Sequence, residues 1–240
     1  MNLPLSNILF LDIETVPQQP SFELLPTEWR ALWTRKAEAI LRNREEEETI
    51  ESIYPRAGIY AEFGKIICIS CGVIQGNGND RKLTLKSFAG DHEPDVLQAF
   101  CEMLTRWSDN EQRYLCAHNG KEFDFPYLCR RLIINNMPLP ALLDIGGLKP
   151  WEVPHFDTMD LWKFGDYKNY TTLNLLAYAL GIPTPKDDID GSRVWEVYWK
   201  EKNLPRIVSY CQKDVITVAQ IFLRINNYAL IRPENIEIKS

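Results

Sequence analysis

The sequence predicts an α/β fold in which helices flank a mixed sheet of about five strands. Three observations lead to this prediction. The uninterrupted apolar run 8–11 is typical of a strand buried on both faces, at the centre of a sheet. Two further strand patterns, 66–74 and 82–88, flank a dense turn signal over 76–80, which indicates an antiparallel hairpin. Helical patterns then alternate with short apolar runs, as in sheets covered by helices.

The remaining elements follow the hairpin in chain order. A fourth strand is expected over 113–117, and a brief fifth strand just before Asp157, after a proline-rich loop over 137–156. Helices are expected over about 93–107, from near Asp124, and over about 158–164, 171–180, 191–201 and 205–226. No linker rich in Gly or Ser divides the chain, so a single domain over 1–240 is expected.

Residues 18–60 look like a helical insertion between the first strand and the hairpin. Pro26-Thr27 is a helix start, and apolar residues recur on one face of the helix that follows. The segment turns strongly charged over 42–48. Such a run is most often the solvated end of a helix. The alternative interpretation is a cap over a substrate entrance.

Composition narrows the class of protein. The 240 residues are 45% hydrophobic and 25% charged, with a net charge of −6, which argues against nonspecific coating of nucleic acid. A local basic groove beside a metal-filled acidic site remains compatible with that charge. The six cysteines lie mostly in apolar segments, so reduced thiols are expected rather than a zinc site. No apolar run approaches ~20 residues and no signal peptide is visible, so a cytoplasmic protein without membrane contact is expected.

Two carboxylates end the first strand. Asp12 and Glu14 are two residues apart, so their side chains share one face of the strand. Neighbouring carboxylates repel each other and are costly to desolvate. They must therefore reach solvent beyond the strand or be held by a divalent cation. For this motif alone, a surface loop that starts at Asp12 is the favoured interpretation.

Further acids lie later in the chain. Asp214 falls at the inward edge of the apolar stripe of the last helix, with Tyr210 one turn earlier on the same side. Taken alone, a salt bridge with an arginine and a metal are equally open explanations. Asp124, at a helix start, is read alone as a helix N-cap. Together with Asp12 and Glu14, these acids form a set of four that cations would stabilise, and carboxylates suit Mg²⁺ or Mn²⁺ better than zinc.

The order and spacing of these motifs resemble the DEDD-type 3′–5′ exonucleases. The pattern D-x-E covers 12–14, N-x-x-x-F-D covers 119–124 and Y-x-x-x-D covers 210–214, and the tyrosine indicates the tyrosine subclass. Phe63-Gly64-Lys65-Ile66 and Asp157-Thr158 are similar to segments of the proofreading exonuclease domain of family-B DNA polymerases. The resemblance runs from about residue 7 to 225. It implies a ribonuclease H-like fold and a stand-alone exonuclease, since no polymerase domain follows.

The resemblance also implies roles for the acids and the tyrosine of those motifs. Asp12, Glu14 and Asp214 would hold one of two Mg²⁺ or Mn²⁺ ions, and Asp12 with Asp124 the second. Tyr210 would orient the attacking water. Its ordinary pKa near ~10 makes it a poor base at neutral pH.

Residues around the motifs are candidates for substrate contacts or structural roles. The candidates for substrate binding are Thr15, Asn119, Lys121 and Phe125, although core packing is the alternative for Phe125. Lys168, Lys186 and Arg193 are either phosphate contacts or ordinary surface charges. His118, His155 and Asp157 are expected to shape the backbone rather than to react, and no metal is expected at 187–190.

The predicted function is a metal-dependent 3′–5′ exonuclease acting on single-stranded ends by a two-metal mechanism, with DNA favoured and nucleoside 5′-monophosphates released. Its expected partners are single-stranded DNA or RNA 3′ ends and, as a further candidate, a polymerase or repair protein. Two alternatives stay open. One is an inactive exonuclease-like module that binds nucleic acid or protein, and the other is a phosphodiesterase of small nucleotides.

Overall fold

The computed structural model describes residues 4–42, 48–109, 111–166, 168, 170–183 and 189–239. Within these ranges the chain forms one six-stranded sheet with α-helices on both faces. The strands are β1 Ile8–Pro17, β2 Gly64–Gln75, β3 Lys82–Ala89, β4 Tyr114–Ala117, β5 Phe156–Asp157 and β6 Ile236–Lys239. The α-helices are α1 Thr27–Leu41, α2 Glu93–Ser108, α3 Asp124–Ile134, α4 Thr158–Lys163, α5 Leu173–Ala179, α6 Val194–Trp199 and α7 Leu204–Ile225.

The sheet is mixed, as predicted. Its strand order is β5-β4-β1-β2-β3-β6. The first three strands pair antiparallel, whereas β1 with β4, β4 with β5 and β3 with β6 pair in parallel. The predicted hairpin, formed by β2 and β3, is thereby confirmed. Strand β1 lies in the interior of the sheet, between β4 and β2.

A sixth strand was not expected from the sequence, which predicts about five. Residues 236–239 form β6 along the outer edge of β3. Only Ile236 is partly buried and the other three residues are exposed. Ile236-Glu237-Ile238-Lys239 does alternate between apolar and charged residues, but this signal spans only four residues.

The residues of β1 alternate between two hydrophobic cores. Leu9, Leu11 and Ile13 face the core beneath α2 and α3. Ile8 and Phe10 face the core beneath α7, where the Phe10 and Phe222 rings meet edge to face with centroids 5.5 Å apart. Because alternate residues share a face, Asp12 and Glu14 continue the second face and point toward α7.

Helix α7 spans 22 residues and agrees closely with the predicted 205–226. The Asn203 side chain caps its start by accepting a hydrogen bond from the Arg206 N–H at 3.2 Å, and Pro205 occupies its first turn. Its apolar stripe is buried against the sheet. In the described part of the chain, no helix combines the length and the apolar character that crossing a membrane requires.

The 18–60 insertion builds a small core of its own. Helix α1 begins at Thr27, directly after Pro26, as predicted. Trp33 is fully buried between the rings of Tyr54 and Phe63, and its indole N–H donates to the carbonyl of Ile50 at 3.2 Å. Residues 43–47 of the predicted charge run lie outside the described ranges.

A buried ion pair ties α3 to α2 and to the insertion. The Arg131 guanidinium donates to both carboxylate oxygens of Glu93 and, at 2.7 Å, to the carbonyl of Ala61. Glu93 also accepts a hydrogen bond from the Ile66 N–H at 2.7 Å. Every charged oxygen of Glu93 is therefore hydrogen-bonded, which is the condition under which a buried pair is tolerated.

Candidate active site

The first two acids lie just before an interruption in the pairing of β1 with β2. Asp12 is opposite Ser70 and Glu14 is opposite Cys68 on β2. The register then shifts between Glu14 and Thr15. Such irregularities re-aim side chains and interrupt a ladder. Glu14 is only 7% exposed, so the expectation of a surface loop starting at Asp12 is wrong and the acid pair belongs to the buried strand.

Helix α7 places Asp214 against this pair. Asp214 is 8% exposed, and its carboxylate accepts a hydrogen bond from the Tyr210 hydroxyl one turn earlier. The negative charge of Asp214 acts on both Asp12 and Glu14. Three of the four predicted acids and the tyrosine therefore converge from two separate elements.

Asp124 completes the cluster from a third element. It is the first residue of α3, 3% exposed, and its carboxylate accepts a hydrogen bond from the backbone N–H of Ile13. The interpretation of Asp124 as a helix N-cap is wrong, because the cap position is Phe123 and Asp124 faces β1 instead. The α3 start thus delivers a fourth carboxylate beside Asp12.

Burial and mutual repulsion disfavour the charged form of these acids. Burial raises the pKa of Asp12 and of Glu14 well above the ordinary range, and repulsion from neighbouring carboxylates raises both further. Burial also raises the pKa of Asp124 to about 7. Within the described part of the chain, Asp12 Oδ2 and Asp124 Oδ1 are buried without any hydrogen-bond partner.

Those two orphaned oxygens test whether the site fits cations. A buried carboxylate oxygen without a donor is costly, and a divalent cation removes that cost. The donor set is four carboxylates, and hard oxygen ligands suit Mg²⁺ or Mn²⁺. The residues therefore fit a divalent cation of this kind.

Cys211 is a neighbour of the cluster that the sequence analysis missed. Its Sγ and the carboxylate oxygens of Asp12 and Glu14 all lie within 4.8 Å of one another. Its thiol donates to the backbone carbonyl of Asp12 at 3.4 Å, and burial raises its pKa well above the ordinary value. We therefore assign Cys211 as a protonated packing residue, whose position next to Tyr210 was the available signal. The six cysteines are free thiols, as predicted.

Asp157 holds the loop that follows β4. Its carboxylate accepts hydrogen bonds from the N–H groups of Asn119 at 2.9 Å, Lys121 at 3.0 Å and Met159 at 2.9 Å. It therefore caps α4 and at the same time fixes the turn before Asp124. This agrees with the structural role predicted for it.

The two histidines near the motifs also have structural partners. His118 bonds the Thr158 hydroxyl at 2.9 Å and the Thr171 carbonyl at 2.8 Å. His155 accepts from the Leu115 N–H at 3.2 Å and contacts the Leu142 carbonyl at 2.7 Å. Burial lowers the pKa of both, so both are neutral at neutral pH.

The candidate substrate contacts fall into different places. Thr15 and Asn119 are half-buried beside the acids, Asn119 with a left-handed φ of 60°. The Lys121 ammonium lies 3.7 Å from the Asp160 carboxylate. Phe125 is fully buried, with its ring centre 5.2 Å from that of His155, so it offers no open face to a base.

Two of the three more distant cations lie in the described part of the chain. Arg193 pairs with Glu196 at 3.7 Å, and Lys168 is exposed. Lys186 lies outside the described residues, as do 187 and 188 of the loop in which no metal was expected.

Comparison with known proteins identifies a family. The model of a family described as predicted 3′–5′ exonucleases related to the exonuclease domain of PolB matches residues 59–232. That region includes Asp124, Tyr210 and Asp214, whereas Asp12 and Glu14 precede it. No curated protein matches the chain.

One solved structure supports the fold, and a second aligns with a lower score. The family B DNA polymerase from the hyperthermophilic archaeon Pyrobaculum calidifontis aligns with a TM-score of 0.54 and 14% identity over 92% of this chain. The chain spans only 24% of the length of that polymerase. The RNase domain of the yeast Pop2 protein aligns over 97% of this chain and 81% of its own, with 12% identity and a TM-score of 0.39. With a mixed sheet of the ribonuclease H-like type and a family match over most of its length, this chain belongs to the predicted 3′–5′ exonucleases related to the exonuclease domain of PolB.

Proposed function

We propose that this chain is a divalent-metal-dependent exonuclease that hydrolyses single-stranded nucleic acid from the 3′ end, with DNA favoured, and releases nucleoside 5′-monophosphates. One observation carries the proposal. Carboxylates from β1, α3 and α7 meet in a buried cluster in which Asp12 Oδ2 and Asp124 Oδ1 have no partner among the described residues. Such a cluster has little use in a purely structural role, because it destabilises the fold at neutral pH.

We assign the four acids to two ligand sets. Asp12, Glu14 and Asp214 would hold one cation, and Asp12 with Asp124 the second. When bound, such a pair of cations supplies an activated water and stabilises charge on the attacking and leaving oxygens of an in-line phosphoryl displacement. The buried setting of the four carboxylates favours this use, since electrostatic interactions are strong where water is excluded.

Tyr210 acts as a hydrogen-bonding group rather than as a base. Burial, together with the charge of Asp214, raises its pKa above the ordinary value, so the hydroxyl keeps its proton at any physiological pH. Its hydrogen bond to Asp214 holds the phenol at the edge of the cluster. From there the hydroxyl orients the attacking water.

Two groups at the rim would receive the terminal nucleotide. The irregular backbone at Thr15 and the left-handed turn at Asn119 both flank the acids. Lys121 is available to a phosphate after exchange of its long contact with Asp160. The preference for DNA rests on the kinship of the family with the exonuclease domain of PolB.

The test is a direct assay of direction and metal dependence. Single-stranded DNA and RNA of equal sequence, labelled at the 5′ end, are incubated with the protein in Mg²⁺, Mn²⁺ or EDTA. We expect a ladder of shortening labelled products that requires metal. The ladder should disappear in Asp214→Asn and persist in Asp144→Asn, which removes an exposed carboxylate outside the cluster.

Other outcomes would redirect the assignment. Immediate release of a labelled mononucleotide would mean digestion from the 5′ end. Cleavage of dinucleotides but not of longer strands would indicate a small-nucleotide phosphodiesterase. A folded protein that binds both strands and cuts neither, at any metal concentration, would be an inactive binding module.

A further inference from the structure

We propose that a groove on helix α1 binds the single strand upstream of its 3′ end, a second contact region that rests on the proposed function. The α1 groove encloses about 600 Å³ between α1 and the residues just before β2. Its lining includes Trp29, Leu32, Arg35, Lys36, Glu62 and Phe63. Aromatic surface beside cations is the combination by which proteins hold single strands without reading their sequence.

The apolar part of the groove is an aromatic platform. Trp29 is 36% exposed and Leu32 is 49% exposed, although both belong to a helix whose next turn is anchored by the buried Trp33. The Trp29 ring meets Phe63 edge to face, with centroids 5.7 Å apart. An indole fixed in this way is already ordered, which lowers the cost of stacking a base on it.

The charged part of the groove is suited to phosphates. Arg35 and Lys36 are exposed, and neither forms an ion pair with a described residue. The Lys36 ammonium lies 4.3 Å from the centre of the Tyr60 ring, which positions it without neutralising it. Glu62 is one opposing carboxylate, so the lining keeps a net positive charge on a chain whose net charge is −6.

The groove is attached firmly to the acidic cluster. The Phe63 carbonyl accepts a hydrogen bond from the Gln18 N–H at 3.0 Å, and Gly64 pairs with Pro17 at the end of β1. Pro17 is three residues beyond Glu14, or about 10 Å along a strand. A strand whose terminal nucleotide occupies the acids therefore needs only a few nucleotides to reach the groove.

Helix α3 also holds the backbone that leads to the α1 groove. Asp124, Tyr127 and Arg131 lie at helical spacing on one face of α3. The Tyr127 hydroxyl donates to the Gly58 carbonyl at 2.6 Å, and Arg131 donates to the Ala61 carbonyl. The helix that delivers one catalytic acid thus also clamps the backbone leading to the groove.

The occupant that the chemistry favours is nucleic acid rather than a protein. Both features of the groove, the aromatic surface and the cations that form no ion pair with a described residue, have counterparts in each nucleotide of a single strand. The family match begins at residue 59, so α1, like β1, precedes the matched region.

The experiment measures binding of the full chain without catalysis. Binding of a fluorescein-labelled trinucleotide and of a 12-nucleotide strand is followed by anisotropy in EDTA over a range of salt concentrations. In Arg35→Gln/Lys36→Gln we expect the 12-mer to bind about tenfold more weakly, with a salt slope smaller by about 1.4 because two phosphate contacts are lost. Binding of the trinucleotide should change less than twofold.

Matched variants separate the groove from general charge. Arg106→Gln/Lys82→Gln removes two exposed cations from α2 and β3 and should leave 12-mer binding within twofold of the unaltered chain. Trp29→Ala should weaken 12-mer binding about fivefold or more through the lost stacking. Equal thermal unfolding temperatures verify that the charge variants fold.

The failures are distinguishable. The proposal that the α1 groove binds nucleic acid would be refuted if Arg35→Gln/Lys36→Gln bound the 12-mer as tightly as the unaltered chain does. It would also be refuted if both double charge variants lost the same amount of 12-mer affinity. Either result would favour a protein as the partner of the groove. Cleavage by the unaltered chain in the earlier assay would nevertheless preserve the proposed function. Conversely, a groove-dependent loss of binding in a chain that never cleaves would support the groove and refute the exonuclease.

Discussion

Replacing Asp124 by Asn should stabilise the metal-free protein at neutral and alkaline pH. The Asp124 carboxylate is 3% exposed, one of its oxygens has no partner among the described residues, and Asp214 adds repulsion. An asparagine of the same shape can still accept the hydrogen bond from the Ile13 N–H. Its amide group then donates toward the neighbouring carboxylates, where Asp124 can only repel them.

The magnitude follows from the pKa. Burial raises the pKa of Asp124 from 3.8 to about 7, so the folded protein holds a proton that the unfolded chain releases between those values. Stability therefore falls as pH rises from about 4 to 7. At 1.36 kcal/mol per unit, the loss is about 4 kcal/mol above pH 7 and less than about 2 kcal/mol at pH 5. The Asn variant does not suffer this loss.

The assay is urea unfolding in EDTA at pH 5 and pH 8. Asp124→Asn should exceed the unaltered chain in free energy of unfolding at pH 8, and the gap should shrink by about 2.7 kcal/mol at pH 5. Asp144→Asn, at an exposed position, should differ by less than about 0.5 kcal/mol at both pH values. Mn²⁺ at a hundred times its Kd should stabilise the unaltered chain by about 2.7 kcal/mol and the variant by less.

Two results would refute this reasoning. An Asp124→Asn variant less stable than the unaltered chain at pH 8 in EDTA would mean that the carboxylate is held by favourable contacts. A gap of equal size at pH 5 and pH 8 would mean that the effect is unrelated to ionisation.

The remaining predictions concern the groups around the cluster. Tyr210→Phe should lower kcat roughly 10- to 100-fold, which corresponds to the loss of one hydrogen bond in the transition state. The pH–rate profile should not change, because the phenol does not titrate in this range. Steady-state kinetics from pH 6 to 9 measure both quantities. Arg131→Met should lower the free energy of unfolding by about 3–5 kcal/mol, since Glu93 stays buried without its partner, and urea unfolding tests it. Gly120→Ala should cost about 1–3 kcal/mol because its Cβ would lie 2.5 Å from another side-chain carbon, whereas Gly146→Ala, with open space around it, should cost much less in the same measurement.

Local periodicity accounts for what the sequence predicts well. The alternation along β1 determines that Asp12 and Glu14 share a face, and the 3.6-residue stripe of α7 turns Asp214 toward the sheet. Both inferences depend only on covalent geometry and burial within one element. The order and spacing of the three motifs then predict that β1 and α7 meet the turn before Asp124.

Tertiary contacts determine what the sequence could not predict. The full burial of Phe125 depends on His155, 30 residues away, and a phenylalanine beside a motif acid looks the same whether it faces a base or the core. Cys211 lies beside the carboxylates only because α7 crosses the end of β1. Strand β6 forms at an edge through backbone pairing alone. The first two arrangements leave no periodic trace, and the alternation along β6 spans only four residues.

The contrast between Asp124 and Glu93 shows how the acids of the cluster differ from acids that hold the fold together. Both are nearly fully buried and both accept a backbone hydrogen bond, yet the charge beside Glu93 is an arginine, whereas the charges beside Asp124 are other carboxylates. Neutralising Glu93 should therefore weaken the fold, and neutralising Asp124 should strengthen it and abolish cleavage. Opposite signs for stability and activity at one position are what a site kept for cation binding requires, because selection for stability alone would have removed that charge.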